Sequence, residues 1–136
     1  MSARPVPPVS TLTRPYWDAV RQQQLVLQEC DACQQRLFPP KTHCPACGSG
    51  ALSWRPVSGT GTIYSFTIAR RPPHPVFAEQ CPLAIAIVEL DEGPRMITNI
   101  VECAPDRIEV GMAVQVAFEP IDDTDVMLPV FRPSAR

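Results

Sequence analysis

Four cysteines, Cys30, Cys33, Cys44 and Cys47, stand in the pattern C-x2-C-x10-C-x2-C. Two residues between the members of each pair let both sulfurs turn toward one point, and four thiolates supply the tetrahedral shell that a structural Zn²⁺ prefers. Cys₄ coordination leaves no position open for water or substrate, so the spacing points to a structural ion rather than a catalytic one. Iron in a cage of the same four sulfurs is the rival, and disulfide pairing is the lesser alternative in a reducing compartment. His43, beside Cys44, reads as an exposed loop residue rather than a fifth ligand, and Trp54 reads as packing over the sulfur cluster.

The second stretch with chemical potential is RRPPHPVFAEQCP, residues 70–82. It holds four prolines, two adjacent arginines, His74, Phe77 and Cys81. Guanidinium forks match phosphate oxygens bidentately, and a stiffened loop loses little entropy in gripping a phosphate or nucleotide. The plainer reading is a solvated connection that proline turns. Cys81 as a nucleophile with His74 as base lacks a third residue to orient the pair. The sequence contains no glycine-rich phosphate loop, serine elbow or deaminase motif. Asp122, Asp123 and Asp125 lack the glycine and glutamate of a calcium loop and read as a solvated turn.

The elements that must position these groups are mostly strands. Seventeen prolines against six glycines in 136 residues imply short strands and irregular turns with little helix. One helix is expected from Arg14 to Gln24, with Thr13 as N-cap, Pro15 in the first turn, Asp18 near the positive end of the dipole, and Leu12, Tyr16, Trp17 and Val20 on one side. That stripe either packs on its own domain or presents Tyr16 and Trp17 to a partner. Strands at 25–29, 36–38 and 51–57 make a small ribbon around the cysteines.

From Gly59 onward the pattern is strongly β. In 59–71, Ile63, Ser65 and Thr67 are expected on one face and Tyr64, Phe66 and Ile68 on the other. The apolar run 83–90 reads as a strand buried on both sides, followed by a turn at 91–94 and a return strand over 95–103. A connection ending at Gly111, an alternating strand over 112–121 and a last strand over 127–133 complete the set. The fold class is mainly β: an N-terminal helix, a rubredoxin-like ribbon and a C-terminal five-stranded OB-fold barrel, with a sandwich as the alternative. The expected division is an extended N-terminus at 1–11, helix and ribbon at 12–57, and the OB-fold at 58–136.

The chain carries no apolar run of signal-peptide or membrane-spanning length, so a cytoplasmic setting is expected, with thiols reduced and available to metal. Residues 1–57 hold six basic against three acidic side chains, and residues 58–136 six against eleven. An acidic barrel repels a phosphate backbone, which weighs against a single-stranded nucleic-acid-binding OB and zinc-ribbon module, the alternative reading. Eleven of the twelve basic residues are arginine, which favours bidentate recognition over diffuse attraction.

The order of CDACQQRLFPPKTHCPACG, SGTGTIYSFTIARRPPHPVF, PLAIAIVELDEGPRMITNIV, VQVAFE and LPVFRP, over about residues 12–133, resembles the DUF35 family of OB-fold proteins with a rubredoxin-like zinc ribbon. The resemblance implies a non-catalytic subunit partnered with a thiolase-superfamily enzyme (a condensing thiolase, a 3-hydroxy-3-methylglutaryl-CoA synthase, or a steroid side-chain aldolase). Such a subunit would help to bind or channel acyl-CoA, with the reactive groups on the partner. Carried onto this sequence, it places zinc on the four cysteines. It makes the first barrel strand and its loop, with Tyr64, Phe66, Arg70, Arg71, His74 and Phe77, the region facing ligand or partner.

Overall fold

A computed structural model describes residues 6–71, 82–121 and 124–134, together with residues 75 and 78. His74, Phe77 and Cys81 of the proline-rich loop, and Asp122 and Asp123, lie outside the described residues.

The helix α1 spans Arg14–Arg21 with Tyr16 and Val20 buried, so its apolar stripe packs on the protein's own core. Its cap is not Thr13, whose backbone is already helical. Ser10 does that work: its Oγ accepts from the Thr13 N–H at 3.2 Å while the Thr13 Oγ1 accepts from the Ser10 N–H at 3.0 Å, a reciprocal pair that satisfies two orphan donors. The helix also stops before the expected Gln24. Gln23 takes the left-handed conformation at φ 61°, and the N–H groups of Gln23 and Gln24 turn back to the carbonyls of Val20 and Ala19. This is a Schellman closure built without glycine, so the usual sequence marker of a helix end is missing. Asp18 sits too late for the first turn and pairs instead with Arg21 at 3.0 Å.

Three strands form the ribbon in the order β2-β1-β3: β1 Val26–Cys30, β2 Arg36–Leu37 and β3 Leu52–Pro56, with β1 antiparallel to both neighbours. Leu25 and Leu27 send the ribbon's apolar side into the main core beside Tyr16 and Val20. Trp54 joins that core and does not cover the sulfurs; Leu37 and Leu52 pack there instead. The reason is register, since Trp54 lies opposite Gln28, two residues away from the Cys30–Leu52 pair.

The barrel strands are β4 Thr60–Ala69, β5 Leu83–Leu90, β6 Arg95–Asn99, β7 Ala113–Pro120 and β8 Met127–Pro133, ordered β6-β5-β4-β7-β8 and antiparallel throughout. The edges β6 and β8 approach each other: Ile100 bridges Phe131 in parallel, the Val101 N–H bonds the Phe131 carbonyl at 2.8 Å, and Thr98 Oγ1 donates to the Pro129 carbonyl at 3.2 Å. The result is a nearly closed five-stranded barrel of OB type, as expected.

Three strand readings need correction. A β-bulge sits between Ile63 and Ser65, where Ile63 faces Val88 and Ser65 faces Ile87, so that Tyr64 is the extra residue. An added residue flips everything after it to the other face. Ile63, Phe66 and Ile68 therefore share the inward face, while Tyr64, Ser65 and Thr67 are exposed. In β5, Ala84, Ala86, Val88 and Leu90 are buried, but Leu83, Ile85, Ile87 and Glu89 are only half-buried, so the strand is covered on one side rather than two. β6 also ends at Asn99, short of the expected 103, because the chain there leaves β5 to bridge β8.

Two glycines allow this packing. Gly61 runs so close beneath β5 that a Cβ would stand 2.3 Å from the Glu89 carbonyl oxygen. Gly59 has φ +79° and would press a Cβ to within 2.4 Å of Val116.

Candidate metal centre and ligand-facing strand

The four sulfurs converge as the spacing requires, all within 4.8 Å of one another. Cys30 and Cys47 are 3.6 Å apart, as are Cys33 and Cys44. A tetrahedral ion with metal–sulfur bonds of about 2.3 Å needs sulfurs about 3.8 Å apart, so the donor set fits a Cys₄ ion in number, type and spacing.

The two halves of the clasp are built alike. In the first knuckle the Cys30 N–H bonds the Gln35 carbonyl and the Gln34 N–H bonds the Cys30 carbonyl; in the second, Cys44, Ser49 and Gly48 repeat the arrangement, all four bonds at 2.8 Å. Gln34 at φ 64° and Gly48 at φ 81° occupy the same left-handed position. Only the second knuckle advertises that turn with a glycine. In each knuckle the leading cysteine, Cys30 or Cys44, is buried and the trailing one, Cys33 or Cys47, is exposed.

The thiols titrate far apart. The backbone N–H of Cys33, directed at its sulfur, pulls Cys30 down to about 7 against the opposing effect of burial. At Cys33 the Gln35 N–H also favours thiolate, but partial desolvation and the sulfurs of Cys44, Cys47 and Cys30 outweigh it and push the group up to about 12. Cys47 likewise moves up: the Ser49 N–H pulls it down and is outweighed chiefly by the Cys30 sulfur and partial desolvation. Crowded sulfurs resist accumulating negative charge, which is the condition a dication relieves.

One residue with no motif around it holds the loop that carries the second knuckle. Gln28 is 5% exposed; its Nε2 donates to the Lys41 carbonyl at 2.9 Å and its Oε1 accepts from the Lys41 N–H at 2.7 Å. A polar residue inside the apolar run of β1 was the one available sign of this tie. Asp31, in the first knuckle, accepts from Ser53 Oγ at 2.8 and 2.9 Å and fastens the knuckle to β3. His43 is exposed and bonds Thr42 at 3.2 Å.

The ligand-facing region is dispersed by the bulge. Tyr64 points outward, 48% exposed, with the Arg95 guanidinium 3.8 Å from its ring centroid; Arg95 also pairs with Glu89 at 3.0 Å. Phe66 turns the opposite way and packs against the core. Arg70 and Arg71, just past the end of β4, are exposed and make no ion pair with a described residue. The outer face of β5 and β6 continues the apolar surface beside Tyr64, with Ile87 opposite Ile97, which is 75% exposed.

Comparison with known proteins gives these parts a context. Residues 17–53 match the family model of the ChsH2 rubredoxin-like zinc ribbon domain, and residues 54–119 match that of the ChsH2 C-terminal OB-fold domain. A DUF35 domain-containing scaffold protein of Methanothermobacter thermautotrophicus is 37% identical over 94 residues, 68% of this chain and 70% of that one. A probable enoyl-CoA hydratase alpha subunit of Thermomonospora curvata is 42% identical over 131 residues, 96% of this chain. The chain spans only 40% of that relative's length. A solved structure described as the Ltp2-ChsH2(DUF35) aldolase contains a chain of which this protein covers 98%, with 94% of its own length aligned at 41% identity and a TM-score of 0.85.

Proposed function

This chain belongs to the DUF35 family of zinc-ribbon and OB-fold proteins, and from that premise we propose that it is a non-catalytic accessory subunit, scaffolding a thiolase-like enzyme and helping it to bind or pass on an acyl-CoA. The observation that carries the reading is the likeness, over nearly the whole chain, to the DUF35 chain of an aldolase structure. The site chemistry supports it. The thiolate cluster has no open position for a substrate, and His43, the one described histidine, is engaged on the surface with Thr42.

In this proposal Cys30, Cys33, Cys44 and Cys47 hold Zn²⁺, or iron, as a structural ion whose binding energy is folding energy. Arg70 and Arg71 meet the phosphates of CoA, since exposed guanidinium groups without a described acidic partner are free to fork onto phosphate oxygens. Tyr64 and the apolar outer face around it meet the enzyme, aromatic side chains being favoured anchors at such interfaces. The family resemblance assigns His74 and Phe77, outside the described residues, to the same role.

Co-expression with a thiolase-like enzyme from the same source, followed by size-exclusion chromatography with light scattering, tests the assignment. A hetero-oligomer is expected, and two independent species at micromolar concentration overturn it. Within the complex, Arg70→Ala with Arg71→Ala is expected to raise KM for acyl-CoA about tenfold or more while leaving assembly and kcat intact, as loss of charge-assisted bonds formed equally in ground and transition states would do. An unchanged KM removes the arginines from the ligand site and leaves the scaffold role standing.

A further inference from the structure

We infer that the cleft at the barrel seam, beneath α1, is a binding site for a small, largely apolar molecule bearing one hydrogen-bond acceptor, which the Tyr16 hydroxyl engages. The cleft is a cavity of about 250 Å³ where α1 lies over the gap between β6 and β8. One wall is aromatic: Tyr16 meets Trp17 edge-on with centroids 5.0 Å apart, and Phe38 tilts against Tyr16 at 5.9 Å. The other wall is aliphatic, with Met96 from β6 and Leu128 and Val130 from β8. An apolar cavity of about 150 Å³ in a protein interior stays dry and takes benzene, so this larger space suits a bicyclic body or a comparable length of chain.

The polar handle is what distinguishes the cleft from an ordinary packing defect. Tyr16 is 5% exposed, and a tyrosine hydroxyl at that depth ordinarily finds a protein partner. None of the described groups bonds it. It is not walled in either, for among the described residues the only side-chain polar atom that is both fully enclosed and unpartnered is Glu92 Oε1. The hydroxyl thus keeps some access, at the end of a side chain that lines the cleft. The neighbouring polar groups are committed as donors elsewhere, Thr98 Oγ1 to the Pro129 carbonyl at 3.2 Å and Asn99 Nδ2 to the Ala84 carbonyl at 3.0 Å. Burial raises the Tyr16 pKa above the ordinary phenol value, which keeps the group a proton donor throughout the physiological range.

The cleft lies apart from strand β4 and its two arginines, and it meets the apolar face proposed for the enzyme only at Ile97, which lines both. In the order β6-β5-β4-β7-β8 the middle strand is β4, and the seam between the two ends lies across the barrel from it. A molecule in the cleft would touch helix, ribbon and both edges of the barrel at once, through Tyr16, Phe38, Met96 and Val130. The inference is therefore independent of the role proposed for Arg70 and Arg71.

Titration of the ¹⁵N-labelled protein with 2-acetylnaphthalene, a bicyclic ketone, is the test. Saturable shifts are expected at the Trp17 indole and at the amides of 96–99, 128 and 130. Tyr16→Phe should weaken the ketone about five- to tenfold, the worth of one hydrogen bond to a buried acceptor, and leave 2-ethylnaphthalene, which lacks the carbonyl, unaffected. The same variant should keep or raise Tm, because no intramolecular bond is lost with the hydroxyl; a Tm that falls would show a purely structural group. Leu128→Trp should abolish binding of both compounds by filling the space. Absence of saturable shifts, shifts clustered elsewhere, or a ketone affinity indifferent to Tyr16→Phe overturns the site.

Discussion

Gly61 shows what a single atom decides in this fold. A Cβ there would meet the Glu89 carbonyl oxygen at 2.3 Å, and a backbone oxygen inside a ladder cannot swing aside as a side chain would. Gly61→Ala is expected to destabilise the protein by about 3 kcal/mol, at the upper end of the usual cost of overpacking, as measured by urea denaturation. A change below about 0.5 kcal/mol would mean that β4 and β5 can part without cost. At this scale the four cysteines were legible in the sequence because thiol pairs at such spacing have few other uses. Gln28 was not, since its importance lies in where the Lys41 backbone happens to run. The Ser10 cap was hidden for a related reason: Thr13 is an equally good capping residue by type, and only the backbone shows that the first turn begins before it.

The ribbon is an element whose own apolar content is small, with Cys30, Leu37 and Cys44 as its separate buried cluster and Leu52 beside them. Such a module depends on its ion, because the energy of binding is spent on ordering the ligands. Treatment with a strong chelator, or Cys44→Ser, is expected to expose the amides of β1, β2 and β3 to hydrogen exchange, with elemental analysis reporting loss of about one ion per chain. Retained protection in a metal-free sample would refute the dependence. Because Leu25 and Leu27 reach from the ribbon's edge into the main core, the same treatment should also lower the barrel's Tm. Strand positions were readable from alternation and β-branched content, and seven of the eight strands fall within a few residues of their expected places. The early end of α1 was not, since Gln23 is not of a type usually found at positive φ, nor was the shorter β6, which ends where Ile100 leaves β5 to bridge Phe131.

For the whole molecule, charge and architecture give different advice about partners. OB barrels and zinc ribbons both serve nucleic-acid recognition, but residues 58–136 hold six basic against eleven acidic side chains. Single-stranded DNA is therefore expected to show no saturable binding even at about 20 mM salt, as read by fluorescence anisotropy of a labelled oligonucleotide. Tight, salt-sensitive binding would restore the nucleic-acid module as the better reading. Among the described residues no helix is long and apolar enough to cross a membrane. The barrel's near-closure was foreseeable from five strands and no αβ alternation. The seam cleft was not, because it arises from four segments distant in sequence, 16–17, 38, 96–99 and 128–130, meeting at a gap in the ladder.

The bulge at Tyr64 gives β4 something like a reading frame. Before it, odd-numbered positions face the core; after it, even-numbered ones do, so the strand's two halves are in phase with each other only because one residue is out of step. Deleting that residue would leave a regular ladder with every downstream side chain on its present face; flattening the bulge while keeping it would exchange the meanings of the letters downstream, sending Ser65 and Thr67 to the interior and Phe66 and Ile68 to solvent. Tyr64 is thus tied down twice, by its ring under Arg95 and by its place in the count, and only the first of these ties depends on which amino acid stands there.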